Sequence, residues 1–457
     1  MENIENIKEN KMGTERVPKL LISISVPIII SMLVQALYNI VDSVFVAKYD
    51  NSAGTGALTF AFPIQNLIIA VAVGLAVGMN ALLSRSLGQK DFKRANLIAG
   101  QGLTLLLAGY LPFLFFGLFA VRPFIAAQVG DAGLLYSYSV DYLSIASVGS
   151  VGVFVQIFSE RLLQSTGKSV LSMATQLSGA VVNIILDPIL IFGMFGLPEL
   201  GVRGAAIATV IGQLASAAVG ITLNLVYNKE IKLILKNFIP KLRVIKEMLI
   251  IGIPSVLMQA IGSLMTLSMN NILYAFSTEA VNVFGVYFKL QSFIFMPVFG
   301  LNNGMVPIIA YNYGAGRRDR IFATMKLSMA LAVGYMLLGL LVFQLLPGAL
   351  LSIFNASETM LSLGKPALRL ISICFPFAGI SIICSSTCQA LGKSIYSLYL
   401  SMIRQLVVLI PAAFLLSLSG RVNLIWLSFP LAELVALVLA VIFVKHVTKK
   451  AFSQMRF

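Results

Sequence analysis

The sequence predicts an all-α membrane protein with twelve transmembrane helices, arranged as two pseudo-symmetric six-helix lobes around a central cleft. Three observations carry this prediction: the chain is strongly apolar, its positive charges recur after every second apolar stretch, and its second half repeats its first. Apolar residues make up 58% of the 457 positions, and charged residues only 11%. A soluble globular chain has about 25% charged residues, so this composition excludes the soluble class.

The apolar stretches have the length of membrane helices. About 20 apolar residues span a hydrocarbon core of about 30 Å as an α-helix. The short alternating segments of a membrane β-barrel are absent from the sequence, and a helix satisfies its own backbone hydrogen bonds in lipid. We therefore expect helices at 19–47, 57–84, 95–121, 136–159, 170–192, 204–227, 248–276, 281–309, 326–343, 366–390, 397–418 and 423–444.

The distribution of positive charge supports this count of spans. With the N-terminus placed in the cytoplasm, 25 Lys and Arg residues fall on the cytoplasmic side, 6 on the outer side and 2 within spans. This asymmetry is the positive-inside rule, and one missed span would invert it downstream. The net charge of +15 therefore reflects membrane topology and does not indicate a nucleic-acid partner. Both termini are predicted to be cytoplasmic.

The two halves of the chain share a pattern. A shift of 225 residues aligns 164–169 with 389–394, and a shift of 226 aligns further positions. We expect lobes at 1–227 and 248–457, joined by a basic cytoplasmic loop at 228–247. Because six spans per half is an even number, the halves are parallel repeats, an architecture typical of transporters that work by alternating access. The positions aligned by 226 are Gln65, Gly74, Gly78, Met79 and Gly88 with Gln291, Gly300, Gly304, Met305 and Gly314.

The sequence contains no nucleotide motor that could drive transport. The Gly-Lys-Ser runs at 167–169 and 392–394 end like a P-loop, but such a loop needs a glycine five residues before its second glycine. Leu162 and Thr387 stand at those positions. The energy must then come from an ion gradient or from the substrate's own gradient, and no cofactor is expected.

Ionisable residues at membrane depth are the main functional candidates, because each costs several kcal/mol or more to bury. Asp42, Asp187 and Glu433 are the acidic ones. Asn183 lies four residues before Asp187 and so shares its helix face. Two carboxyl groups and an amide offer oxygen ligands to a hard cation such as Na⁺. Burial also disfavours the charged form of a carboxyl group, so the same residues can bind a proton.

Structural roles for these two aspartates compete with the functional one. Asp42 could be partly in water near the outer end of its span, and Asp187 could be a helix-terminal aspartate before Pro188. The second half has no acids at the matching positions, and this asymmetry favours a site. Pro27 removes a backbone hydrogen bond from the first span and is expected to let that helix bend.

Two basic residues also fall within spans. Lys289 and Arg404 either form a salt bridge with Glu433 inside the C-terminal lobe or face the cleft, where they would contact substrate. The sequence favours the structural pair slightly and leaves the second reading open.

An ordered set of motifs resembles the multidrug and toxic compound extrusion (MATE) family, and its MepA-like bacterial branch most. The likeness extends over nearly the whole chain, and no single motif decides it. The motifs are Pro27 with 35–42 (QALYNIVD), 88–91 (GQKD), 183–188 (NIILDP), 204–209 (GAAIAT), 293–304, 311–315 (YNYGA) and 401–405 (SMIRQ).

The resemblance implies export of organic compounds, often cations, in exchange for H⁺ or Na⁺ across a bacterial cytoplasmic membrane. It also implies a cation site in the N-terminal lobe whose ligands match Asp42, Asn183, Asp187 and Thr209, with Tyr142 of the fourth helix beside them. Another branch of the family uses acids of the C-terminal lobe. This chain lacks those acids and carries Lys289 on its eighth span. The expected partners are small-molecule drugs or toxic metabolites and the lipid bilayer, and the protein is expected to be a monomer.

Three other functions remain as alternatives. A flippase for lipid-linked precursors, as in distant relatives of the same superfamily, would need a strongly cationic cleft, and Lys289 and Arg404 keep this reading open. A membrane-bound enzyme is disfavoured because no histidine or cysteine constellation falls within the spans. A channel is disfavoured by the asymmetry between the two repeats.

Overall fold

The computed structural model describes residues 10–50, 52–354 and 356–455, and this part of the chain is helical without β-strands. Ten segments are long and apolar enough to cross a membrane, and two further pairs of helices meet the same criterion when each bent pair is taken together. With each bent pair counted as one span, the described residues contain the twelve spans that the sequence predicts. Lys8 and Arg456, counted among the cytoplasmic charges, lie outside them.

The helices follow one another closely. Short π-helical segments at Phe116–Ala120 and Ile403–Leu409 join α4 to α5 and α16 to α17. The helices are α1 Lys11–Thr14, α2 Val17–Tyr49, α3 Ala53–Gly88, α4 Phe92–Phe115, α5 Val121–Val129, α6 Leu134–Val148, α7 Val151–Ser165, α8 Ser169–Phe192, α9 Val202–Tyr227, α10 Leu242–Tyr274, α11 Thr278–Gly314, α12 Arg318–Leu345, α13 Pro347–Ser352, α14 Glu358–Ser372, α15 Phe375–Ala390, α16 Ser394–Met402, α17 Ile410–Ser417, α18 Val422–Ile425 and α19 Ser428–Ser453.

The fourth and tenth predicted spans are bent in the structure. Helices α6 and α7 meet at 41°, and α14 and α15 meet at 46°. The bend recurs in the fourth span of each half, as expected of a repeat. Helix α7 also continues to Ser165, beyond the predicted end at 159, and so brings Glu160 into the span.

The aligned motifs form the same turn in both halves. Gly167 and Gly392 adopt φ angles of +78° and +77°, a left-handed conformation that glycine adopts without steric cost. In each turn the amide of the following lysine donates to the carbonyl five residues earlier, at 2.8 Å. The Gly-Lys-Ser runs are therefore helix-to-helix turns, and their glycines are explained by backbone geometry.

The contacts divide the chain into two compact units. Unit 1 contains the described residues up to Lys11 and Ile30–Gly252, and unit 2 contains Met12–Ile29 and the chain from Ile253 onward. These boundaries differ from the predicted lobes, because α2 and α10 each contribute to both units. Pro27 and Pro254 lie beside the two points of division, within helices that remain continuous.

The repeated glycines explain this division. In unit 1, a Cβ added to Gly78 would lie 2.3 Å from the carbonyl oxygen of Met248 on α10. In unit 2, a Cβ on Gly304 would lie 2.3 Å from Oγ of Ser25 on α2. Gly78 on α3 and Gly304 on α11 thus each receive the first helix of the other half at a distance that only glycine permits.

The basic loop at 228–247 is packed against α4 within unit 1. Gln101, which is fully buried, donates to the carbonyl oxygens of Asn237 and Ile239 at 2.6 and 2.7 Å. Its own Oε1 accepts from the amide of Lys241 at 2.6 Å. The Gln101 side chain therefore makes hydrogen bonds to three backbone groups of a segment that was predicted to be a linker.

Single cysteines placed at Lys236 and Asn282 test the topology. The two residues flank α10, which is 33 residues long and long enough to cross a bilayer. A membrane-impermeant maleimide is expected to label Lys236→Cys only after the membrane is opened, and Asn282→Cys in intact cells. The native cysteines at 374, 384 and 388 are buried and are replaced by alanine in the background. Labelling of both sites from one side would contradict the twelve-span fold.

Candidate cation and proton site

The predicted site residues of unit 1 lie on four helices. Asp42 belongs to α2, Asn183 and Asp187 to α8, Thr209 to α9, and Tyr142 to α6. The structure brings these residues into one region of unit 1.

Contacts at two levels fix α2 beside α8. At one level, Nε2 of Gln176 donates to Oε1 of Gln35 at 2.7 Å. At the other, the ring of Phe192 packs against Phe45 and Tyr49, with centroid separations of 6.4 and 6.3 Å. Asp42 and Asp187 both lie between these two levels, and their carboxyl groups interact electrostatically.

Glycines let α8 and α9 approach each other closely beside Asn183. A Cβ on Gly179 would lie 2.1 Å from Oγ of Ser216 and 2.6 Å from the carbonyl oxygen of Gly212, and a Cβ on Gly212 would lie 3.1 Å from Cβ of Asn183. The close approach places the Asn183 amide between the two helices.

The Asn183 amide group connects the two helices. Its Nδ2 donates to Oδ1 of Asp187 at 3.2 Å and reaches Oγ1 of Thr209 at 3.5 Å. A carboxylate, an amide and a hydroxyl are thus held together on two helices by backbone packing.

The site is buried, and several of its oxygen atoms lack a hydrogen-bond partner among the described residues. Asp42, Asn183 and Asp187 are 8%, 3% and 0% exposed. Three buried oxygens, Oδ1 of Asp42, Oδ1 of Asn183 and Oδ2 of Asp187, accept no hydrogen bond from the described residues. Leaving buried polar groups unpaired is costly. A proton or a small hard cation would supply the missing partner, since such ions prefer oxygen ligands.

Further polar residues surround the acids. Tyr142 is 2% exposed, its hydroxyl accepts from Nε2 of Gln65 at 3.2 Å, and it interacts electrostatically with Asp42. Tyr38 also lies within electrostatic range of Asp42 and hydrogen bonds with Gln35. Tyr38, Gln35 and Gln65 were not among the site residues predicted from the sequence. For two of them a signal was available, because Tyr38 and Gln35 precede Asp42 by four and seven residues on one helix face.

The charges of unit 2 are arranged differently. Nη1 of Arg404 donates to Oε1 of Glu433 at 2.9 Å, and the Glu433 side chain is largely buried. Arg404 is the second residue of the π-helical segment Ile403–Leu409. Lys289 is exposed and lies 5.8 Å from the centre of the Phe354 ring. Of the two alternatives open from the sequence, the structure places Arg404 in the salt bridge.

Asp141 of α6 forms a bidentate ion pair. Nε and Nη2 of Arg203 donate to its two carboxylate oxygens at 2.6 and 3.0 Å. The pair joins α6 to α9 within unit 1 and neutralises Asp141. Among the described residues no group of three or more His, Cys, Asp or Glu side chains forms a metal cluster.

Comparison with known proteins places the chain among transporters. The MatE family model matches residues 27–189 and 254–415. The multidrug export protein MepA of Staphylococcus haemolyticus is 28% identical over 432 residues, which cover 93% of each chain.

Solved structures give the same fold. A MATE protein crystallised in complex with MaL6 superposes with a TM-score of 0.90 at 22% identity, covering 97% of this chain and 99% of the other. A MOP superfamily transporter from Pyrococcus furiosus, described as having a binding pocket of reverse polarity, superposes with a TM-score of 0.89 at 22% identity and the same coverage. At this identity the likeness concerns the fold.

Replacing Gly179 by alanine is expected to separate α8 from α9 and to destabilise the protein. Overpacking of this kind costs about 1–3 kcal/mol, since the contacts to be displaced include the backbone of Gly212. Gly334→Ala is the matched control, because a Cβ there has no neighbour within 4 Å. Thermal unfolding followed by fluorescence-detection size-exclusion chromatography compares the two. Equal stability of both variants would contradict the assigned packing.

Removing Arg404 is expected to harm folding more than ion coupling. Arg404→Ala leaves Glu433 buried and unpaired, at a cost of about 3–5 kcal/mol. The double variant Arg404→Met, Glu433→Leu removes both charges and should be more stable than Arg404→Met alone. The same thermal assay, combined with a drug-efflux assay, measures both effects. A stable Arg404→Ala protein with full export would contradict a structural role, and a stable one with altered substrate choice would place Arg404 in the substrate path.

Proposed function

Because the chain belongs to the MatE family, we propose that it is a secondary multidrug exporter that exchanges organic compounds for H⁺ or Na⁺ by alternating access. The observation that carries the exchange is the buried group of Asp42, Asn183 and Asp187, with three oxygens that lack a hydrogen-bond partner among the described residues. Export of drugs is supported by the similarity to MepA over most of both chains.

The site has the properties that a coupling site needs. Two adjacent buried carboxyl groups repel each other when both are charged, and the repulsion is strong where the dielectric constant is low. Binding of a proton or a Na⁺ ion removes charge that is costly in these surroundings. The occupied and the empty site therefore differ in free energy by an amount that depends on how tightly the helices pack.

In the proposed cycle the ion binds to Asp42 and Asp187 when they are accessible from outside. Neutralised helices can then pack more closely, and Pro27 gives α2 a place to bend. The closer packing narrows the interior of unit 1 and weakens its hold on a bound drug. The ion leaves towards the cytoplasm on the return step. By linkage, if the ion weakens drug binding, the drug weakens ion binding by the same factor.

The second candidate, a lipid-linked precursor flippase, is less well supported. It would need several cations free to bind a pyrophosphate, but Arg404 is paired with Glu433. The sequence predicted two cations within the spans, Arg404 and Lys289. With Arg404 paired, the other is Lys289, which lies against an aromatic ring.

The Asp42→Asn variant tests the coupling. An amide at this position mimics the neutralised carboxyl group permanently. Ethidium efflux driven by an imposed pH or Na⁺ gradient should therefore fall to the level of protein-free vesicles, while the protein stays folded. Asp187→Asn and Asn183→Ala should be impaired in the same way. Their effects should not add, because the three residues serve one site.

Asp131→Asn provides the control for loss of one exposed carboxylate and should transport normally. Monodisperse elution from a size-exclusion column establishes that each variant is folded. Gradient-driven efflux at the wild-type rate by the Asp42→Asn, Asp187→Asn double variant would rule the mechanism out.

A further inference from the structure

Unit 1 contains a further acidic residue within its spans, Glu160, which the coupling site does not use. It lies on α7, five residues before the helix ends at Ser165, which corresponds to roughly 8 Å along the helix axis. The side chain is half-buried. An acid at this depth is costly unless it is paired or has a function.

The other acids within the spans are accounted for by partners. Asp141 pairs with Arg203 and Glu433 pairs with Arg404, while Asp42 and Asp187 form the candidate coupling site. Glu160 forms no ion pair with any described residue. Its chain neighbour Arg161 interacts with it through space, and the guanidinium of Arg161 donates to Oε1 of Gln164 at 2.9 Å.

The surroundings of Glu160 suit an organic cation. Nε2 of Gln156, one turn earlier on the same face, donates to Oε1 of Glu160 at 3.0 Å, whereas Oε2 receives no hydrogen bond from the described residues. The carboxylate is thus held in place with one oxygen unused. Tyr38 lies within electrostatic range of both Glu160 and Asp42, and an aromatic ring adds attraction for a cation.

The polar side chains that connect Tyr38 to α8 are uncharged. Tyr38 hydrogen bonds with Gln35, and Gln35 accepts from Gln176 at 2.7 Å. Amide and phenol groups can each donate and accept hydrogen bonds, so they do not restrict the site to one hydrogen-bond pattern. Glu160 would then supply the charge selectivity that these neutral groups lack.

We propose that Glu160, held by Gln156 and lying near Tyr38, is the residue of unit 1 that recognises the positive charge of exported organic cations. This inference rests on the proposed export function and names its substrate class. It assigns to Glu160 a role in binding that is separate from the coupling role of Asp42 and Asp187.

The test is a binding measurement on the purified full-length protein in detergent, at fixed pH and without a gradient. Tetraphenylphosphonium is the cationic probe, and triphenylphosphine oxide is a neutral molecule with similar rings. The wild type should prefer the cation. Glu160→Gln should raise the dissociation constant for tetraphenylphosphonium at least about tenfold, a loss of one charged contact, and leave that for triphenylphosphine oxide within about twofold. Glu160→Asp should recover part of the preference.

Glu279→Gln, which removes an exposed glutamate, is the matched control and should bind both probes like the wild type. Unchanged cation binding by Glu160→Gln would overturn the proposal. So would equal weakening of both probes, which would indicate a structural role, or a wild type without preference for the cation. Because no gradient is involved, cation-selective binding without gradient-driven efflux would instead refute the proposed exchange and leave the role of Glu160 standing.

Discussion

Two carboxyl groups buried within electrostatic range of each other in an apolar helical bundle are the constraint on which unit 1 depends. Asp42 and Asp187 interact electrostatically, and neither has a basic partner among the described residues. Such a pair is stable only if something else supplies positive charge or removes negative charge. In the exchange proposed above, a mobile ion neutralises the pair, and the need for neutralisation is the physical basis for coupling.

Unit 2 solves the same problem internally. Its buried acid, Glu433, is paired with Arg404 at 2.9 Å. The two halves share turns, bends and helix-packing glycines, but Asp42 and Asp187 of the first have no basic partner among the described residues. Under the proposed function, this difference in charged residues places ion binding in unit 1.

Features that depend on local chemistry were predictable from the sequence. The apolar stretches predicted the spans, and the four-residue spacing of Asn183 and Asp187 predicted their shared face. Features that depend on which surfaces meet were not. Gly78 and Gly304 indicate that another helix approaches closely, but the sequence does not identify that helix. Likewise, nothing local shows that Gln101 fixes the basic loop, or that α7 continues past 159 to include Glu160.

The arrangement of charge in unit 1 gives a reason for exchange that needs no long-range pathway. Asp42, Asp187 and Glu160 contribute negative potential to one region, and Tyr38 interacts with all three. A cation bound near any of them weakens the attraction of the others for a second cation, because the fields overlap where the dielectric constant is low. In the proposed exchange, drug and coupling ion compete through electrostatics even when they occupy different positions. Mutual weakening of binding is the condition that antiport requires, and a shared cluster of acids meets it directly.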